Sequence, residues 1–340
     1  MPLLGLLVAA LFVANLGAGA YVITPLEIVE ALGILAGLQS SGDVSEQALG
    51  VLAGIRLPRA LMAAAAGAGL GLAGAVLQGL FRNPLADPGV IGVSSGAALG
   101  AAIAIVGVAA LPPGLRLLVG GIALPASAFV FSLATTLLVY RVGRVGLGGP
   151  VATLLLAGIA FNALAFAGVG FLSYVATDEQ LRNLSFWNLG SLSGATWQQL
   201  GMCALAGLPA AAILLRLAPG LDALSLGNEE ARHLGVDVTR LQRAAVVCTA
   251  LLVGCLVAYT GVIGFLGLVA PHMVRLGIGP SHRLVLPTAG LLGGALLLGA
   301  DMIARTSVAP AELPVGIVTT AAGAPFFLWL LARARRQAPT

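Results

Sequence analysis

The sequence predicts an all-α, polytopic membrane protein with ten transmembrane helices, and three observations carry that prediction. Apolar residues make up 59% of the 340-residue chain and charged residues only 9%, against roughly 25% charged in a soluble domain. The apolar residues fall in repeated runs near the ~20 residues that a helix needs to cross a hydrocarbon core. Glycine occupies 47 positions, which suits helices packed through small residues where lipid supplies no hydrophobic drive for association.

In chain order the runs are 3–23, 60–80, 90–111, 117–140, 151–175, 198–217, 244–262, 284–303 and 314–332, with a shorter one at 263–276 interrupted by Gly264, Gly267 and Pro271. Charge decides whether the short run counts. With it, and with both termini inside, only Arg56, Arg59, Arg116, Arg182 and Arg305 of the 17 basic residues face outward, as the positive-inside bias requires. Without it, Arg333, Arg335 and Arg336 move outside and much of the bias disappears. Ten spans in one membrane domain, 1–340, are therefore expected. Residues 1–20 lack a basic leading segment and read as the first span rather than a cleaved signal. Residues 24–55, with Glu27, Glu30, Asp43 and Glu46, read as an outer segment whose helix lies against the bundle. Glycines four apart (Gly67/Gly71, Gly92/Gly96/Gly100 and Gly290/Gly294) mark expected close helix contacts.

The most polar stretch, 219–243, lies between two apolar runs and falls on the inner side. It holds Asp222, Glu229, Glu230 and Asp237 beside Arg232, His233, Arg240 and Arg243. Local signals predict two very short helices, one capped by Asp222 with Gly227 as its stop, the other capped by Asn228 and stopped by Gly235. A connection between spans needs only a few residues, so two capped helices here read as a docking surface. An ordinary solvated loop is the bland alternative.

Composition also excludes function classes. Every basic residue is arginine, so a phosphate-binding P-loop, which needs a lysine, is absent. If ATP drives this protein, another polypeptide binds the ATP and its magnesium. No ionisable residue falls mid-span, which argues against an ion-coupled carrier that works without ATP. Cys203, Cys248 and Cys255 and the three histidines have no metal-ligand spacing. No catalytic constellation and no metal or cofactor site is predicted.

Four long segments carry a family resemblance: RLPRALMAAAAGAGLGLAGAVLQGLFRNPLADPGVIGVSSGAALGA (56–101), SLGNEEARHLGVDV (225–238), GFLGLVAPHMVR (264–275) and ADMIARTSVAPAELPVGIVTTAAGAPFFLWLL (300–331). They strongly resemble the iron-siderophore, haem and cobalamin uptake permeases of bacterial ABC importers, in the expected order from about residue 50 onward. The resemblance implies the type II ABC importer permease architecture in the bacterial inner membrane. It implies a homodimer with two separate ATPase subunits on the inner side and a periplasmic haem-binding protein on the outer side, and no nucleic acid. It implies that Asp222, Leu226, Asn228, Glu229, Glu230, Arg232, His233, Leu234 and Gly235 form the coupling helices seated on the ATPase. Arg56, Arg59 and Arg305 would pair with glutamates of the binding protein, with snorkelling to lipid phosphate as the alternative. Asn83, Pro84 and Leu85, with Arg141 and Arg144 in the loop 141–149, would form the inner gate, and Phe161, Asn162, Phe166 and Phe171 would line the pathway. Within the family the resemblance is greatest to haem permeases, with haem as transported substrate; a ferric siderophore or cobalamin is the alternative.

Overall fold

The computed structural model describes residues 2–19, 21, 23–38, 44–143 and 150–337, with side chains at all of these except 150–152 and 330–337. Among the described residues every regular element is helical. The order is α1 (Pro2–Gly17), α2 (Pro25–Leu35), α3 (Glu46–Val51), a π turn (Leu52–Arg56), α4 (Leu57–Phe81), a 3₁₀ turn (Pro88–Ile91), α5 (Val93–Ala109), α6 (Pro113–Gly143) and α7 (Pro150–Val175). Then follow α8 (Asp178–Asn188), α9 (Trp197–Arg216), α10 (Ala218–Leu224), α11 (Asn228–His233), α12 (Val238–Thr260), α13 (Leu266–Ile278), α14 (His282–Thr306) and α15 (Val315–Gln337). Each of the ten apolar runs has its helix. Among the described residues six stretches are long and apolar enough to cross a membrane: Glu46–Phe81, α6, Thr153–Val175 of α7, α9, α12 and α14. The apolar helices α1, α5, α13 and Val315–Trp329 are shorter.

Helix α4 is the axis of the packing, buried along almost its whole length, with α14, α13, α12 and α9 around it. Glycine allows the closest of these approaches. A methyl group built on Gly67 would lie 2.3 Å from the Gly293 carbonyl oxygen, and one on Gly71 would lie 2.2 Å from that of Ala289. Gly74 meets Gly267 of α13 in the same way, and Gly96 and Gly100 of α5 meet the α6 backbone. The expected glycine contacts hold for Gly67, Gly71, Gly96 and Gly100. On α14 the register differs: Gly293 makes the tightest approach, Gly290 has only ordinary van der Waals distance, and Gly294 lies between. Four-residue spacing names a face, but a helix turns about 100° per residue, and the neighbour decides which glycine on that face is nearest. Gly92 has φ 88° and starts α5 rather than packing within it.

The first run, expected over 3–23, stops at Gly17. Arg56 explains the early end: it donates to the carbonyl oxygens of Leu16 (2.5 Å), Gly17 (3.0 Å) and Tyr21, closing the C-terminus of α1 with a cation. The π turn shifts that arginine inward, and its Ala53 carbonyl is taken by the Trp197 indole N–H at 2.8 Å. The outer segment forms two helices, α2 and α3; Asp43 lies outside the described residues. Thr24 and Glu27 make a reciprocal capping box at α2. The Thr24 backbone N–H and hydroxyl both donate to Glu27 and hold its carboxyl below the usual range. Helix α8 was not expected, although Thr177–Gln180 is a capping box legible in the sequence.

Candidate functional site

The polar island folds as two short helices, as expected, but the caps differ. Asp222 lies within α10 rather than at its start, and Gly227, not Asn228, precedes α11 without any side-chain cap. Gly235, at φ 83°, does end α11: its N–H bonds the Arg232 carbonyl while Val236 N–H bonds Ala231, the double closure that a left-handed glycine permits. Leu221, Leu224 and Ala231 are buried against the bundle. The opposite face presents Leu226 (65% exposed) and Leu234 (63% exposed) beside the exposed Glu229, Glu230, Arg232 and His233. The exposed ion pairs Arg232–Glu229 and Arg240–Asp237 are local, at i,i+3, and such pairs contribute at most about 1 kcal/mol. What remains is a solvated charged rim around two bare leucines.

Asp222 points away from its own helix and caps α14 instead. One carboxylate oxygen accepts from the His282 backbone N–H (2.7 Å) and from His282 Nδ1 (2.8 Å); the other lies 3.4 Å from the Ser281 hydroxyl. Beyond the imidazole, Arg275 Nη2 lies 3.2 Å from His282 Nε2, and Arg275 Nη1 donates to Gln78 Oε1 at 2.7 Å. His282 and Gln78 are buried.

At the other end of α4 and α14 stand the three arginines expected to meet a partner protein. In the structure Arg56, Arg59 and Arg305 are 4%, 6% and 7% exposed, and all three are bonded inside the chain. Arg59 donates through Nε (3.0 Å) and Nη2 (2.9 Å) to one oxygen of Asp301, which is fully buried, and through Nη1 to the half-exposed Glu312. Arg305 donates to the Asn15 carbonyl (2.8 Å) and side-chain oxygen (2.7 Å), with its Nε 3.3 Å from Asp301. Asn15 completes the set by donating to Asp301 and to the Leu298 carbonyl, both at 3.1 Å. The physical reason is desolvation: helix packing removes these guanidiniums from water, and a buried charge persists only where it is paired and hydrogen-bonded. Asn15 and Glu312 escaped sequence reasoning, although Asn15 is the only polar residue of α1, which is itself a signal.

The expected inner gate is described in part. Arg82 ends α4 in the left-handed conformation, Asn83 Oδ1 accepts from Leu85 N–H at 2.9 Å, and Pro84 and Leu85 are exposed. Arg141 is exposed in the last turn of α6; Arg144 and the loop through Gly149 lie outside the described residues. Asp87 accepts from Gly89 N–H at 2.8 Å, and burial pushes its carboxyl above the usual range. Of the expected pathway residues, Phe166 (60%) and Phe171 (66%) are exposed on α7, and Phe161 packs against the core. Asn162 is half-buried, donates to the Gly89 carbonyl at 3.1 Å and accepts from Ser95. Cys203, Cys248 and Cys255 are buried free thiols.

Comparison with known proteins agrees with this geometry. The profile of the FecCD transport family matches residues 6–333. The chain is 49% identical over 286 residues to the hemin transport system permease of Yersinia pestis, covering 83% of each chain. It is 42% identical over 288 residues to the cobalamin import system permease of Halobacterium salinarum, covering 85% of this chain and 75% of that one. A solved inward-facing structure, described as of the metal-chelate ABC transporter type, superposes with a TM-score of 0.82 at 34% identity, covering 97% of both chains. On a profile that spans nearly the whole sequence and a multi-pass fold shared end to end, the chain belongs to the FecCD transport family.

Proposed function

We propose that the chain is the membrane subunit of a bacterial ABC importer that carries haem inward by alternating access. The observation that carries the substrate is the 49% identity, over 83% of both chains, to a hemin permease. The exposed face of α10 and α11 supports a separate ATPase as partner: a chain without lysine has no P-loop, and bare leucines rimmed by charge suit a protein contact. In this reading two copies of the permease stand over two ATPase subunits, which bind ATP and magnesium, with both termini and the 219–243 segment on the cytoplasmic side of the inner membrane. The ten apolar helices all cross. A periplasmic haem-binding protein docks at the Arg59–Asp301 end, where Glu312 rather than a guanidinium forms the open rim. The surface of α7 with Phe166 and Phe171 lines the route, and Asn83–Leu85 with Arg141 and Arg144 gates its inner end. The chain performs no bond chemistry.

A cobalamin importer is the second reading, favoured by the 42% identity to a cobalamin permease. Uptake into liposomes separates the two. The permease is reconstituted with its cognate ATPase and binding protein, and haem is offered beside cobalamin and a ferric siderophore. ATP-dependent accumulation of haem alone is expected; accumulation of cobalamin instead overturns the substrate and keeps the architecture. Transport that persists without the ATPase overturns the importer reading.

A further inference from the structure

We propose that Asp222, His282, Arg275 and Gln78 form a polar strut that transmits displacement of the α10–α11 surface to α13 and α4, with His282 as its positioning residue. The inference rests on the importer reading for the source of that displacement. The strut itself rests on geometry.

Helix α10 has two kinds of hold on the bundle. Leu221 and Leu224 pack apolar surface, which is non-directional and lets helices slide. Asp222 supplies the directional hold, because its carboxylate meets both the backbone N–H and the ring of His282. The first N–H groups of α14 have no partner within their own helix, and Ser281, in the capping position, makes no side-chain cap there. A residue of the polar island thus closes the end of a long membrane helix.

The chemistry of the ring makes the chain of contacts continuous. With Nδ1–H donated to Asp222, Nε2 carries a lone pair, and it faces Arg275 Nη2 at 3.2 Å. A neutral imidazole is the side chain that donates at one ring atom and accepts at another, so it joins the anion on α10 to the cation on α13. Arg275 continues to Gln78 Oε1 (2.7 Å) and the Ala75 carbonyl (3.3 Å) on α4, and Gln78 Nε2 returns to the Leu268 carbonyl of α13 (3.3 Å). Gly79 leaves the space: a methyl group there would sit 2.2 Å from His282 Nε2. The ring is therefore seated against the α4 backbone at Gly79.

Two measurements test this. In the permease alone, in detergent, Asp222→Asn and Gln78→Leu are made singly and together, and the unfolding equilibrium is measured. Asp222 and Gln78 share no hydrogen bond; His282 and Arg275 stand between them. A strut makes the double variant depart from the product of the singles by about threefold or more, and the departure vanishes in a His282→Leu background. Additive effects overturn the proposal. In the assembled complex, His282→Gln is expected to keep ATPase association and hydrolysis while substrate carried per ATP falls by about tenfold. An unchanged ratio, or loss of ATPase association, overturns it. A wild-type complex that carries no haem sinks the haem importer reading instead, and the first measurement still decides the strut.

Discussion

Replacing Asp301 by asparagine isolates what the buried arginine cluster contributes. Asp301 is fully buried and receives two hydrogen bonds from Arg59 at 3.0 and 2.9 Å, one from Asn15 at 3.1 Å, and the Arg305 charge at 3.3 Å. Asparagine keeps the shape but removes the charge, leaving Arg59 with Glu312 alone and Arg305 without a carboxylate in ion-pair contact. Breaking a buried pair by removing one partner costs about 3–5 kcal/mol, which at about 1.4 kcal/mol per decade shifts the unfolding equilibrium by roughly two to four powers of ten. The comparison is Glu312→Gln, which removes an equally short ion pair to the same Arg59. Its carboxylate is 41% exposed, so water screens it and the expected loss is below about 1 kcal/mol. Both variants are unfolded by denaturant in lipid–detergent micelles beside the parent chain. Equal losses, or an Asp301→Asn loss under about 1 kcal/mol, would refute the reasoning, because burial would then not set the value of the pair.

Alanine at Gly293 places a methyl group 2.2 Å from the Gly67 carbonyl oxygen and is expected to cost about 1–3 kcal/mol through forced separation of α4 and α14; the same change at Gly299, where no atom lies within 4 Å, serves as control in the same melt. Burial raises the Asp87 carboxyl, so its protonated form is the better folded one. Its cost is therefore absent below the ordinary carboxylate value of about 3.9 and grows as pH rises through and above it. Asp87→Asn is expected to match the parent chain in acid and exceed it near neutrality, read from denaturant midpoints across pH; a gap that shrinks with rising pH contradicts the assignment. Leu226→Asp with Leu234→Asp alters only exposed side chains, so the melt is expected to stay within about 0.5 kcal/mol while co-purification of the ATPase is lost; retained co-purification removes this face as its docking surface.

Sequence alone settled the class and position of most elements, for a physical reason. In lipid the backbone must satisfy its own hydrogen bonds, so apolar runs of spanning length have one outcome, and α4, α6, α7, α9, α12 and α14 lie where the runs do. Gly235 also had one reading, since a left-handed helix stop favours glycine. Tertiary structure decided the partners. Asp222 has equally good local chemistry as a cap for its own helix, and only the approach of α14 gave it the His282 N–H instead. Arg59 reads as an outward charge until Asp301, 242 residues away, is packed against it, and Gly293 rather than Gly290 makes the close approach because α4 sets the rotation of α14. Local pattern fixes what a segment must hide and what it must satisfy; which neighbour does the satisfying depends on contacts between residues that are distant in sequence and is decided only when the helices meet.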